Sequence, residues 1–386
     1  MISATLPTAE AARAARLRVP HSFSREPKPS RGEHPGCGRS HGFAPQIARF
    51  AHFAVAGGVA QKALRRRCRR RNKSLKYFEG FPHTLDYGLY FFGPDGACQK
   101  YVAGQANPYC LEHRKTLIYV HGWEADRIEH SFRETFHWSS NEPRFGLDLD
   151  LAPPWLDRNW NVGIFYWDQF SDEPWLPDAE AKIWNAQGPR SMRYRVASGD
   201  FQASSVRGSA SELLAAQLLS LPEGMELRLA GHSLGSPLVI AAAEEMLKRR
   251  PEAFGIRRIA LLDPYWSRQM PLLNPQDYLP LKTTAEESLE RAQKLADRQV
   301  LFEIYYSCPV LTQLPLLADD SPVQHLLSSQ LAVMVCYDAS FAELDLEAQH
   351  LLAPCLYLHS MRFAAGPVPS ARSSTAQLRS SLGRCF

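Results

Sequence analysis

The five residues Gly231-His232-Ser233-Leu234-Gly235 follow a short apolar run, Glu226–Ala230, and precede a helix-like segment. A serine hydroxyl is a poor nucleophile at its own pKa. It becomes a useful one only beside a base that is itself oriented by a carboxylate. In a G-x-S-x-G sequence the serine occupies a sharp strand-to-helix turn that lifts its hydroxyl clear of the sheet. The flanking glycines, Gly231 and Gly235, let strand and helix backbones approach without Cβ clashes. The pattern makes Ser233 a candidate nucleophile for acyl transfer.

Such a serine needs partners, in the chain order Ser, acid, His. Asp263 ends the next strand-like run, in ALLDPYW, and a residue there points to the same rim as Ser233. Asp-Pro also opens turns, and the two roles are compatible. Three histidines lie downstream. His325 falls in a helix-like segment and reads as an ordinary helical residue. His350 follows the run at 331–337 by a loop, and His359 ends the segment that His350 opens. A base on a loop after one of the last strands favours His350, with His359 as the alternative. The tetrahedral oxyanion needs preorganised N–H donors. The expected pair is the N–H of Leu234, just after the nucleophile, and that of Trp123 in His121-Gly122-Trp123. His121 is expected to hydrogen-bond the loop backbone, not to do chemistry.

These groups meet only if the right elements carry them. Thr116–Val120, Trp160–Trp167, Glu226–Ala230 and Ile256–Leu262 are strand-like runs, mostly apolar, the pattern of strands buried on both faces. Val300–Tyr306 and Leu331–Tyr337 add two later strands. Before the serine turn, Ala210, Leu213, Leu214, Leu218 and Leu221 fall at helical spacing behind a Ser209-x-x-Glu212 capping box. After it, Leu238–Leu247 runs to Lys248-Arg249-Arg250-Pro251, a helix stop. Alternating strands and helices imply an α/β fold, a mostly parallel central sheet with helices on both faces. Residues 155–184 hold five of the eight tryptophans, which could line an acyl groove or lid or simply pack a strand against a helix. Asp168, ending one strand run, reads as a loop or cap residue.

YVHGW, AGHSLG and LLDPYW together resemble the α/β-hydrolase superfamily, lipase class, and within it the pancreatic-type triglyceride lipases. The resemblance covers roughly residues 115–365. It implies the α/β-hydrolase fold, a triad of Ser233, Asp263 and a histidine, an oxyanion hole at Trp123 and Leu234, and a lipid or other ester as substrate. In that family an aromatic follows the catalytic histidine by seven positions and a serine by ten. Tyr357 and Ser360 fit that spacing from His350. The chain departs from the pattern at Ala348, where the family has a cysteine, and at Ser236-Pro237 in place of Ala-His. Transfer of the acyl group to an alcohol, or a catalytically inactive lipase-like binding protein, would use the same fold.

Charge divides the chain. Residues 1–76 carry 17 Lys/Arg against Glu10, Glu26 and Glu33, a net of +14, while the remainder holds 27 basic and 37 acidic residues, a net of −10. An acidic main domain argues against nucleic-acid binding, which needs clustered cations. The leader 1–76 has the composition of a disordered or organelle-targeting segment, and its Arg65–Arg71 run could touch an anionic membrane surface. An organellar or intracellular location is expected over secretion. Its cleanest apolar piece, Phe50–Ala60, is about half of what a spanning helix needs. Residues 366–386 read as a flexible tail, which leaves 77–365 as the domain. The eight cysteines are expected to be thiols, Cys98–Cys110 being the pairing that secretion would permit. No metal-ligand spacing occurs, and no cofactor is implied.

Overall fold

The computed structural model describes residues 84–137, 149–267, 282–306, 318–336 and 349–362. The leader at 1–76 and the tail at 366–386 lie outside them.

Eight strands form one sheet: β1 (Gly88–Phe92), β2 (Cys98–Lys100), β3 (Lys115–Val120), β4 (Trp160–Tyr166), β7 (Leu227–His232), β8 (Ile256–Leu262), β9 (Leu301–Tyr306) and β10 (Ala332–Cys336). Their spatial order is β10-β9-β8-β7-β3-β4-β1-β2, and β5 (Tyr194–Arg195) with β6 (Phe201–Gln202) makes a separate small hairpin. Every neighbouring pair from β10 to β4 is parallel, whereas β1 runs antiparallel to both β4 and β2. The helices are α1 (Pro153–Leu156), α2 (Asp168–Ser171), α3 (Leu176–Trp184), α4 (Ala210–Leu219), α5 (Gly235–Arg249), α6 (Thr284–Ala296), α7 (Ser321–Ser328) and α8 (Leu352–His359).

Side-chain alternation along each strand feeds two cores. Ile118 and Val120 of β3 point into the larger one, with Leu214 and Leu218 of α4, Leu238–Ala243 of α5 and Leu295 of α6. Leu117 and Tyr119 point the other way, with Trp155 of α1 and Tyr357 and Leu358 of α8. A strand clothed on both faces has no polar side to show, so β4 is buried at all seven residues. The tryptophan-rich segment belongs to these cores: Trp155, Trp167, Tyr166 and Phe170 are fully buried, and Trp175 alone of its five tryptophans is largely exposed, at 56 %. Packing, not an acyl groove, accounts for most of it. The bridge that secretion would have permitted is absent, since Cys98 and Cys110 are both free. Among the described residues, no helix is long and apolar enough to cross a membrane.

The connections matter most at β3. The chain leaves β3 for β4 on one side and returns to β7 on the other. At such a switch point the two connections part, and a crevice opens beyond the carboxyl ends of the strands. The loop after β3 and the turn after β7 therefore face each other. The crossover into β7 uses α4, whose capping box is complete: Ser209 Oγ accepts from Glu212 N at 3.3 Å, and Glu212 Oε2 accepts from Ser209 N at 2.7 Å. Ser209→Ala is expected to cost about 1 kcal/mol of stability, read as a lowered urea midpoint with an unchanged m-value.

Candidate active site

β7 ends in the turn at Ser233, whose backbone is left-handed at φ +53°. A non-glycine residue in that region costs about 1–3 kcal/mol and persists only where its surroundings over-determine it. Here they do. Ser233 N donates to Leu262 O at 3.0 Å, while Ser233 O accepts from Ser236 N at 3.0 Å and Tyr265 N at 3.3 Å. A Cβ at Gly231 would overlap the Gly235 backbone, and one at Gly235 would overlap the Val120 carbonyl. Both glycines thus let β7, α5 and β3 close up behind the serine.

The other sequence candidates fall around this turn. Asp263 follows β8 directly, is buried, and is also left-handed at φ +39°, with its N–H donating to Tyr305 O of β9 at 2.7 Å. His350 lies just ahead of α8. Its Nδ1 is 3.7 Å from Asp263 Oδ2, and this buried nitrogen makes no hydrogen bond. His350 is also tied to the elbow itself: His232 Nε2 donates to the His350 carbonyl at 3.2 Å, and the two rings lie 4.5 Å apart. Burial, reinforced by the His350 ring, pushes His232 well below the usual histidine range, so it sits there neutral with Nε2 protonated. His359 is elsewhere. It closes the far end of α8, where Leu358 O accepts from Trp155 Nε1 at 2.8 Å and Met361 meets Arg158 ahead of β4. That is the amino-terminal edge of the sheet, opposite Asp263. His325 is an exposed residue of α7.

Beyond β3, Gly122 packs against the serine. A Cβ there would lie 2.8 Å from Ser233 Cβ and 3.3 Å from its Oγ. His121 is buried, and burial lowers its pKa. Its ring has both nitrogens engaged: Nε2 accepts from Trp167 N at 3.3 Å and Nδ1 donates to Gly122 O at 3.1 Å. The Gly122–Trp123 peptide is trans, so a carbonyl turned to His121 turns the Trp123 N–H the opposite way. Leu234, the other expected donor, is fully buried and is the N-cap residue of α5.

Residues that no motif announces hold this loop. Glu173 O accepts from Trp123 Nε1 at 2.7 Å, and Asp172 accepts from Asp126 N at 2.7 Å and Ile128 N at 2.9 Å. Glu173 is fixed by Arg193 and by Lys182, whose Nζ is 2.7 Å away. Burial would raise the Glu173 carboxyl, but those hydrogen bonds overcome it and hold it below its ordinary value. Burial brings Lys182 down to about 8 against the pull of Glu173. Arg133 clamps Asp168 through Nε at 2.5 Å and Nη2 at 3.0 Å, and reaches Asp86 at 3.0 Å. Asp168 thus opens α2 as a structural residue. Sequence spacing carries no sign of these pairs, because their members lie on separate elements. Among the described residues no cluster could hold a metal ion.

The mostly parallel eight-stranded sheet, its covering helices and the strained serine turn beyond β7 make this an α/β-hydrolase fold. No family model matches the sequence, and no curated protein does. Among solved structures, the chain is similar to a lipase-esterase related protein from Clostridium acetobutylicum at 9 % identity, covering 71 % of this chain and 99 % of that one with a TM-score of 0.33. The thioesterase domain from the curacin biosynthetic pathway is similar at 11 % identity over 71 % and 100 %, TM-score 0.30. The rice cell wall degrading esterase LipA from Xanthomonas oryzae is similar at 13 % identity over 73 % and 91 %, TM-score 0.33. Likenesses this distant carry no argument about chemistry, which rests on the chain's own residues.

The Arg133 clamp makes a stability test of the loop's support. Arg133→Met leaves Asp168 buried without its cation and is expected to cost about 3–5 kcal/mol, seen as a lowered unfolding midpoint. Adding Asp168→Leu should recover part of that loss.

Proposed function

We propose that this chain is a serine hydrolase of carboxylic esters, lipid esters among them. One observation carries the reading: at a single rim, Gly122 packs against a left-handed Ser233, and an unpaired His350 nitrogen faces the Asp263 carboxylate. On this reading Ser233 Oγ attacks the ester carbonyl carbon and gives its proton to His350 Nε2. Asp263 orients the imidazole through Nδ1, and the N–H groups of Trp123 and Leu234 take up the oxyanion charge. The proton passes to the departing alkoxide as the C–O bond breaks. Water, deprotonated by His350, then releases the acid from the acyl-enzyme. The 3.7 Å between His350 and Asp263 is longer than a hydrogen bond, as expected of a site that tightens on a bound substrate. Kinship with the pancreatic-type lipases is part of the proposal, and it rests on YVHGW, AGHSLG and LLDPYW.

A fluorophosphonate probe is expected to label the folded protein covalently, and Ser233→Ala should abolish the label. Asp263→Asn and His350→Ala should each lower kcat by about 10⁴, whereas His359→Gln should still be labelled. A folded protein that neither takes the probe nor cleaves p-nitrophenyl esters of any chain length would overturn the reading.

A further inference from the structure

Trp123 is gripped from two sides. On its backbone side the Gly122 carbonyl accepts from His121 Nδ1, which sets the plane of the Gly122–Trp123 peptide. On its side-chain side the indole Nε1 donates to the Glu173 carbonyl at 2.7 Å. Two torsions separate a tryptophan ring from its backbone, so a fixed ring restricts where the backbone N–H can stand.

Glu173 lies in the turn between α2 and α3, and a turn offers a precisely placed carbonyl only if something holds it. The Glu173 carboxylate is what is held. Lys182 Nζ and Arg193 Nε donate to its Oε1 at 2.7 Å and 2.8 Å, and Arg193 Nη2 donates to its Oε2. Lys182 spends its two remaining protons on the Phe170 carbonyl at 2.8 Å and the Arg193 carbonyl at 2.7 Å. One ammonium on α3 thus ties together α2, the turn and the run into β5. Arg193 is braced in turn, its guanidinium 4.0 Å over the Phe201 ring of β6.

We propose that Lys182 and Glu173 are positioning residues for the hydrolysis. The Lys182–Glu173–Arg193 lock fixes the Glu173 carbonyl, the carbonyl fixes the Trp123 indole, and the indole fixes the N–H that takes up oxyanion charge. The inference rests on the ester-hydrolase reading above. Packing alone does not explain a lysine here. Lys182 and Glu173 are both fully buried, and apolar residues of similar volume would fill that space without desolvating two charges. What an apolar side chain cannot do is hold three acceptors in one arrangement. An oxyanion donor acts where charge develops, so displacing it raises the barrier and leaves ground-state binding alone. The signature is a fall in kcat with KM nearly constant.

The test combines hydrogen exchange at the Trp123 indole N–H with kcat and KM for a p-nitrophenyl ester. It uses wild type, Lys182→Met, Trp123→Phe and the double variant. Trp123→Phe also identifies the indole signal among the eight tryptophans. Lys182→Met is expected to speed that exchange and lower kcat about tenfold, short of the roughly 10²–10³ that outright loss of a donor costs. Trp123→Phe, which keeps the backbone N–H and loses the indole, should lower kcat by a similar factor. In the double variant the two losses should not multiply, because both remove the same link. Arg193→Met, at a partly exposed side chain, should act in the same direction and serves where Lys182→Met does not fold. If exchange is unchanged in the folded lysine or arginine variant, the lock does not hold the indole and the proposal fails. Faster exchange with unchanged kcat, or losses that multiply in the double variant, would make the lock structural only and overturn the positioning role. Should wild type hydrolyse no ester, the positioning role falls with the hydrolase reading, and the exchange rates still judge the lock.

Discussion

Three backbones crowd together at one point, and the rest of the structure is arranged around that crowding. The Val120 carbonyl sits where a Gly235 side chain would be, the Gly235 backbone sits where a Gly231 side chain would be, and Ser233 presses on Gly122. Glycine at all three positions lets β3, β7 and α5 converge more closely than any Cβ would permit. Convergence in turn demands that β3 and β7 be neighbours, which the sheet order supplies by sending the chain from β3 out to β4 and back across. The strained turn at Ser233 is tolerable because β8 and the turn after it hold its backbone on both sides. Asp263 follows that same β8, so the strand that supports the serine also brings Asp263 to the rim.

The loop after β3 poses the opposite problem. It is largely buried at both ends, and a buried loop leaves backbone N–H groups without strand or helix partners. The Asp172 carboxylate answers two of them here, and the Glu173 backbone carbonyl takes the Trp123 indole N–H. Buried carboxylates need cations in their turn, hence Lys182 and Arg193 on Glu173, Arg195 on Asp172 and Arg133 on Asp168. Such pairs offset their desolvation only when every lone pair is matched, so they contribute little net stability while fixing one geometry. Under the proposed chemistry, which depends on where the Trp123 N–H points, that trade has a use.

What could be read from the sequence follows from how local the determining physics is. The runs at 116–120 and 160–167 announce strands because a strand buried on both faces is apolar along nearly its whole length. The capping box at Ser209 announces α4 because both partners lie within one turn. Gly122, Ser233 and Asp263 are legible because each sits at the end of such a strand. β1, Gly88–Phe92, is equally apolar but short, and nothing local says that it runs antiparallel beside β4. The histidine was ambiguous for a geometric reason: His350 and His359 bracket a single short helix, and composition does not say which end meets the rim.

Three imidazoles cluster behind Ser233, and their hydrogen bonds distinguish them. His121 has both ring nitrogens occupied, one accepting from Trp167 and one donating to Gly122, so it has no lone pair to offer a serine proton. His232 is buried, spends its Nε2 proton on the His350 carbonyl, and is held neutral by desolvation. Neither could gain a proton without breaking a bond or standing charged in an apolar site. His350 differs on each count. It is partly open to solvent, it lies beside the Asp263 carboxylate, and the nitrogen facing that carboxylate is unpaired. A histidine that acts as a base becomes a cation, and of the three His350 alone combines partial exposure, an unpaired ring nitrogen and a carboxylate 3.7 Å away. The other two imidazoles are buried, one bonded to the Gly122 carbonyl in the loop after β3 and the other to the His350 carbonyl.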